Sequence, residues 1–187
     1  MSTQYRIHVL GASGSGTSTL ARGLASRLAL QMFDTDDFYW QPTEPAFTTK
    51  RPAAERLGLM EALFLPRADW VLSGSMMGWG DPVIPRLTHV LFLTLPAAQR
   101  LARLRARERR RFGNAIDPGG ARHAAYRGFL DWAMSYDDPG FAGRSRARQE
   151  SWLAGLQCPV IHLDASKPAS ELLQCAVDAL DPASASA

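Results

Sequence analysis

Cysteine is nearly missing from these 187 residues. Cys158 and Cys175 are the only two, too few for a disulfide framework and without metal ligands at close spacing, so they read as reduced, intracellular thiols. Lysine is as scarce: the 21 basic residues are almost all arginine, and their excess over 18 acidic ones leaves a net charge of +3. That balance suits small anionic ligands and gives no reason to expect a nucleic-acid partner. No apolar run approaches the length that spans a bilayer, and the start Met1 to Arg6 leads into glycines with no long apolar segment behind it; no membrane partner is expected, and the expected location is the cytoplasm. Internal repeats are absent. The one biased stretch is the small, polar tail 182–187, expected to be disordered. Nothing sets an oligomeric state.

A hydrophobic share of 46% is enough for a sizeable core in one α/β domain spanning 1–181. Apolar runs predict strands at Arg6–Leu10, Leu30–Phe33, Trp70–Leu72, His89–Leu95 and Val160–Leu163. The fourth is apolar nearly throughout, as expected of a strand covered on both faces. Helical spacing appears between and after them: Leu20, Leu24 and Leu28; Leu57, Met60 and Phe64; Leu101 and Leu104; Tyr126, Phe129, Leu130 and Ala133; and Leu172, Leu173, Ala176, Val177 and Leu180. Such alternation predicts a parallel sheet with right-handed crossovers, and ligands in such sheets sit beyond the carboxyl ends of the strands.

At the end of the first strand stands Gly11-Ala12-Ser13-Gly14-Ser15-Gly16-Thr17-Ser18. It fits the phosphate-cradling pattern G-x-x-x-x-G-K-[ST] at every position except the lysine, which is Thr17. Because the loop opens a helix, backbone N–H groups point at an anion, and residues 11 to 19, through Thr19, are the candidate nucleotide-binding set. Ser18 has the hydroxyl suited to magnesium. Binding by main-chain amides survives loss of the lysine, whereas transfer loses a charge donor of a kind that commonly contributes on the order of a hundredfold to a thousandfold in rate. An arginine from further along the chain, or Lys50 or Arg51, is expected to supply the missing charge.

With this loop, Asp34-Thr35-Asp36 after the second strand, Ser73-Gly74-Ser75 after the third, the arginine-dense Arg100 to Phe112-Gly113 and His162-Leu163-Asp164-Ala165-Ser166, the chain resembles the P-loop nucleoside, nucleotide and shikimate kinase group from about Tyr5 to Leu180. The likeness extends to bacterial P-loop proteins labelled adenylate kinase-like or ATPase. It implies a P-loop NTPase fold, a five-stranded parallel sheet of order 2-3-1-4-5 with flanking helices and a small helical lid at about 108–148. It also implies ATP and Mg2+ as cofactors and a small-molecule phosphoryl acceptor. By the same resemblance Asp34 joins the metal shell with Ser18, Asp36 contacts the acceptor hydroxyl, Gly74 belongs to a substrate loop, and His162 to Ser166 lie against adenine. Ser73 departs from relatives that carry an aspartate there.

Alternation along an extended strand end sets Asp34 and Asp36 on one side and Asp37 apart, as a cap. Trp79 either stacks on a planar acceptor or packs as core. Arg100, Arg103, Arg107 and Arg110 or Arg111 fall at helical spacing opposite Leu101 and Leu104. Two or three of the arginines are expected to touch nucleotide, with Arg107 and Arg111 as the catalytic candidates, and Arg144, Arg146 and Arg148 form a second cluster beyond Gly140 and Gly143. Lys50 and Arg51 start the helix that grips the acceptor in relatives. His8, His89, His123 and His162 read as structural. The chain is therefore expected to move the γ-phosphoryl of ATP to a small acceptor. Two alternatives stay open: a non-catalytic nucleotide sensor or weak ATPase, and an NAD-binding Rossmann protein, since Gly11-Ala12-Ser13-Gly14 also opens some of those domains.

Overall fold

Each strand of the sheet stops at one common edge, and that edge is where the chemistry-bearing residues collect. The computed structural model describes residues 4–180, so the tail 182–187 lies outside the described residues. Five strands, β1 (Arg6–Gly11), β2 (Met32–Asp34), β3 (Trp70–Ser73), β4 (His89–Thr94) and β5 (Val160–Asp164), pair in parallel in the order β2-β3-β1-β4-β5. Register aligns Gly11 with Leu93, Asp34 with Ser73, Val9 with Ser73 and Thr94 with Asp164. This order separates the chain from a dinucleotide-binding fold, in which the second strand adjoins the first; here β3 occupies that place.

Strand alternation splits the core into two layers. Ile7, Val9, Val71, Leu91 and Leu93 face Leu20 and Leu24 of α1 (Thr17–Arg27) and Leu172, Ala176 and Leu180 of α7 (Ala169–Leu180). Leu10, Trp70, Leu72, Val90 and Phe92 face Met60 of α3 (Ala53–Leu63) and Leu153 of α6 (Arg146–Ala154). Coverage on both faces explains why these strands read as continuous apolar runs. Between β4 and β5 the chain leaves the sheet through α4 (Ala97–Phe112) and α5 (His123–Met134), which meet through Leu104, Leu130 and Ala133.

Three expectations are corrected. β2 begins at Met32 and runs into Asp34, after which α2 (Thr35–Tyr39) starts at once, so Asp36 stands on a first helical turn and the strand alternation used to place it does not apply. α6 was not expected, because its apolar residues crowd at its end and give the helix little periodicity. Arg100 does not lie opposite Leu104: four residues apart on α4, both are 1% exposed. Its guanidinium donates to the Leu95 carbonyl at 3.1 Å and the Ala133 carbonyl at 3.3 Å and pairs with Asp137, which makes it the bolt between α4 and α5.

Candidate functional site

The glycine loop between β1 and α1 is held open by backbone shape alone. Gly14 has φ 84° and Gly16 φ 102°, values that L side chains rarely adopt. Gly14 also packs directly on α4: a Cβ there would sit 2.8 Å from the Arg100 carbonyl oxygen and 3.0 Å from Leu104 Cγ. The Ser15 N–H turns inward to the Ala12 carbonyl at 3.1 Å. Gly16 is the N-cap of α1 without a side-chain cap, and among the described residues the amides of Gly14, Gly16, Thr17 and Ser18 make no hydrogen bond. Unpaired N–H groups at a helix N-terminus form an anion site. A second mark of a cradle is Ser15, whose hydroxyl is buried with no partner among the described residues.

Opposite the loop, Asp34 does two jobs. Its Oδ2 accepts from Ser18 Oγ at 2.8 Å, and its Oδ1 accepts from the Asp36 N–H at 3.1 Å, capping α2. Asp34 and not Asp37 is therefore the cap. Ser73 Oγ lies 3.1 Å from Ser18 Oγ, so the serine that departs from an aspartate belongs to the same cluster. Ser18 and Asp34 offer two oxygens, which fits magnesium bound through one or two protein groups plus phosphates and water. No group of three or more His, Cys, Asp or Glu side chains that could hold a metal exists among the described residues.

Asp36 is exposed at the cleft mouth. Partial removal from water and the Asp34 carboxylate push its carboxyl above the usual range, while Arg144 and Arg107 pull it back. Asp37 is pushed up by the same two causes, desolvation first. Gly74 donates its N–H to the Val9 carbonyl at 3.0 Å and abuts Thr35 and Asp34. Trp79 is half-buried against the second core layer, with the Arg56 guanidinium 5.2 Å from its ring centroid.

Three further arginines reach the site: Arg144 and Arg103, which the sequence places only within arginine clusters, and Arg56, which sequence reasoning did not mark. Arg144 Nη2 donates to Ser13 Oγ at 2.6 Å across 131 residues of chain. Arg103 donates to the Ser15 carbonyl at 3.3 Å and the Ala165 carbonyl at 3.0 Å, linking the loop to the segment after β5. Arg56, buried on α3, lies 3.9 Å from the Tyr39 ring centroid and donates Nε to the Arg51 carbonyl at 2.6 Å. Its sequence signal is a charge four residues before Met60 on the core face, a place charged residues occupy only for a reason.

The expected residues fare differently. Arg107 pairs with Glu108 at 2.9 Å and its charge reaches Asp36. Arg111 sits 5.2 Å from the centroid of Phe47, in the loop before α3. Lys50 lies 6.0 Å from the Tyr39 ring centroid. Arg51 Nη1 is committed to the Asp37, Phe38 and Trp40 carbonyls at 3.2, 2.7 and 3.0 Å. Through that nitrogen it seals the end of α2. His8 is buried on the Leu72 carbonyl at 3.1 Å, and burial lowers its pKa to about 4.

Comparison with known proteins now decides the family. Uncharacterized protein YqaC of Bacillus subtilis (strain 168) is 42% identical over 174 residues, 93% of this chain and 96% of that protein. The chain belongs to the YqaC family. No protein-family model matches it. Among solved structures, shikimate kinase from Bacteroides thetaiotaomicron superposes with a TM-score of 0.60 at 14% identity, over 96% of this chain and 99% of that one. Shikimate kinase from Acinetobacter baumannii, in complex with shikimate, gives 0.55 at 16%, over 95% and 93%. These two likenesses establish the P-loop kinase fold with sheet order 2-3-1-4-5.

Proposed function

We propose that the chain is an ATP-dependent kinase of a small molecule. The observation that carries this reading is the juxtaposition, at one sheet edge, of a glycine loop with unpaired amides and the Ser18–Asp34–Asp36 cluster. The phosphates of ATP lie over residues 11 to 19, and Mg2+ is held by the Ser18 hydroxyl and by Asp34, directly or through water. When bound, the ion neutralises charge on the phosphate oxygens. Asp36 orients the acceptor: the hydroxyl oxygen attacks the γ-phosphorus, the bond from that phosphorus to the β–γ bridging oxygen breaks, ADP leaves, and the proton passes to the Asp36 carboxylate. Desolvation and the neighbouring Asp34 carboxylate, which raise the affinity of Asp36 for a proton, suit that role.

The acceptor lies between Gly74, Trp79 and Lys50, with Arg51 as scaffold. The described residues 4–180 form one P-loop kinase domain, and the segment at about 108–148 serves as its lid, which with the end of α4 brings Arg107 and Arg111 over the transferred group. This segment touches the loop that carries Phe47 through Arg111 and the glycine loop through Arg144.

The test is ADP release from ATP across a panel of nucleosides, nucleotides and small hydroxyl compounds. One acceptor class is expected to stimulate release, and Asp36→Asn to lower that rate by about 10²–10⁴-fold while leaving ATP affinity within about threefold, since the amides and not Asp36 hold the phosphates. A second reading, a nucleotide sensor or weak ATPase, is favoured by one observation, Thr17 at the lysine position. Binding of ATP with no acceptor-stimulated release of ADP across the panel would favour that reading instead.

A further inference from the structure

Thr17 removes the one side-chain cation that a phosphate loop carries within itself, so a chain that transfers phosphoryl groups must bring positive charge from elsewhere. The candidates differ sharply in what already occupies them. Arg100 is locked in the α4–α5 joint, and Arg51 is committed to three carbonyls. Arg107 is paired with Glu108, and Arg111 and Lys50 rest on the rings of Phe47 and Tyr39. Arg103 is committed to the carbonyls of Ser15 and Ala165.

Arg144 stands alone in its geometry. Its Nη2 touches the hydroxyl of Ser13, in the middle of the loop, while its charge is felt by Asp36. It therefore lies between the loop and the carboxylate that faces the acceptor. It makes no ion pair among the described residues. Its position is fixed from behind. The next residue, Ser145, is fully buried and caps α6 by accepting from the Arg148 N–H at 3.4 Å, and Gln149 one turn on accepts from the Tyr136 hydroxyl at 2.7 Å. The Trp132 ring, 4.9 Å from the guanidinium carbon, forms a wall beside it.

We infer that Arg144 takes the place of the missing loop lysine, and that it contacts the terminal phosphate oxygens of the bound nucleoside triphosphate from across the cleft. This rests on the kinase reading above. The guanidinium exchanges one neutral partner, the Ser13 hydroxyl, for charged oxygens, and a charge-assisted contact is the stronger of the two. A fork of donors suits phosphate oxygens at least as well as an ammonium does. The assignment also explains how Thr17 is tolerated: the charge has moved 127 residues along the chain while staying at the same loop.

The test is a mutant cycle on the full-length chain with Mg2+ present, read by titration calorimetry with ATP, ADP and AMP. Arg144→Gln is expected to weaken ATP binding by about 10–100-fold and AMP binding by less than about twofold, because AMP lacks the terminal phosphates. Thr17→Lys is expected to restore most of the loss in the Arg144→Gln background and to change the unsubstituted chain by less than about threefold. Arg144→Lys, which keeps the charge and guards against a folding artefact, is expected to retain part of the affinity. Equal ATP affinity for parent and Arg144→Gln, strictly additive effects of the two substitutions, or coupling of Thr17→Lys to Arg103→Gln instead would overturn the assignment while leaving the kinase reading intact. Absence of ATP binding by the parent would overturn both.

Discussion

Replacing Gly14 by alanine tests whether the loop's shape, and not a particular side chain, makes the nucleotide site. The residue sits at φ 84°, and the added Cβ would meet the Arg100 carbonyl oxygen at 2.8 Å and Leu104 Cγ at 3.0 Å. A left-handed conformation costs about 1–2 kcal/mol for an L side chain, and forcing a methyl into a packed contact about 1–3 kcal/mol, so the folded state loses about 2–5 kcal/mol if nothing moves. For a chain of this size that is a fall of about 4–20 °C in the unfolding midpoint. Relief requires the loop to withdraw from α4, because the obstructing oxygen is backbone and Arg100 behind it is buried and bonded. Withdrawal tilts the amides of Gly14 and Gly16, so ATP affinity falls together with stability. Calorimetric unfolding and ATP titration of the variant measure both. A variant with the parental midpoint and the parental ATP affinity would refute the argument that this glycine shapes the loop.

Other outcomes follow from the same geometry. Between pH 6.5 and about 4 the unfolded chain protonates His8 while the folded chain keeps it neutral, so stability falls as the pH is lowered through that window, by about 3 kcal/mol in total. Chemical denaturation of parent and His8→Leu across that range should show the difference between them shrinking with acid, and parallel curves would contradict the assignment. Ser18→Ala removes an oxygen that donates to Asp34 at 2.8 Å and is expected to weaken ATP binding in the presence of Mg2+ by about tenfold with little change in its absence. An equal effect with and without the ion would take Ser18 out of the metal shell. Truncating Phe64, fully buried and stacked on Phe33 at 4.3 Å between ring centroids, should cost about 3–5 kcal/mol as Phe64→Ala without altering ATP affinity.

What the sequence disclosed and what it concealed divide along a physical line. Strands buried on both faces announce themselves as apolar runs, and leucines every four residues mark α1, because both patterns are local. The glycine loop is legible for the same reason: its spacing is the geometry. Asp36 was placed beside Asp34 by an argument from strand alternation that does not hold, since a five-residue helix begins between them and no periodicity reveals so short an element. Arg144 and Arg103 could not be ranked among nineteen arginines, because their roles depend on contacts 131 and 88 residues away. Arg100 was misread in the opposite sense. Helical spacing set it on an exposed face, whereas the turn of chain carrying Asp137 supplied the partner that lets a guanidinium be buried.

The kinase reading stands on the main-chain amides of Gly14, Gly16, Thr17 and Ser18 gripping a polyphosphate although no lysine stands among them. Titration calorimetry of the full chain with ATP and Mg2+ addresses it most directly. Saturable heat is expected, with a dissociation constant below about 1 mM, the upper end of ordinary enzyme–substrate affinities, and much weaker binding of AMP. No heat at several times that concentration, or equal affinity for ATP and AMP, would contradict it.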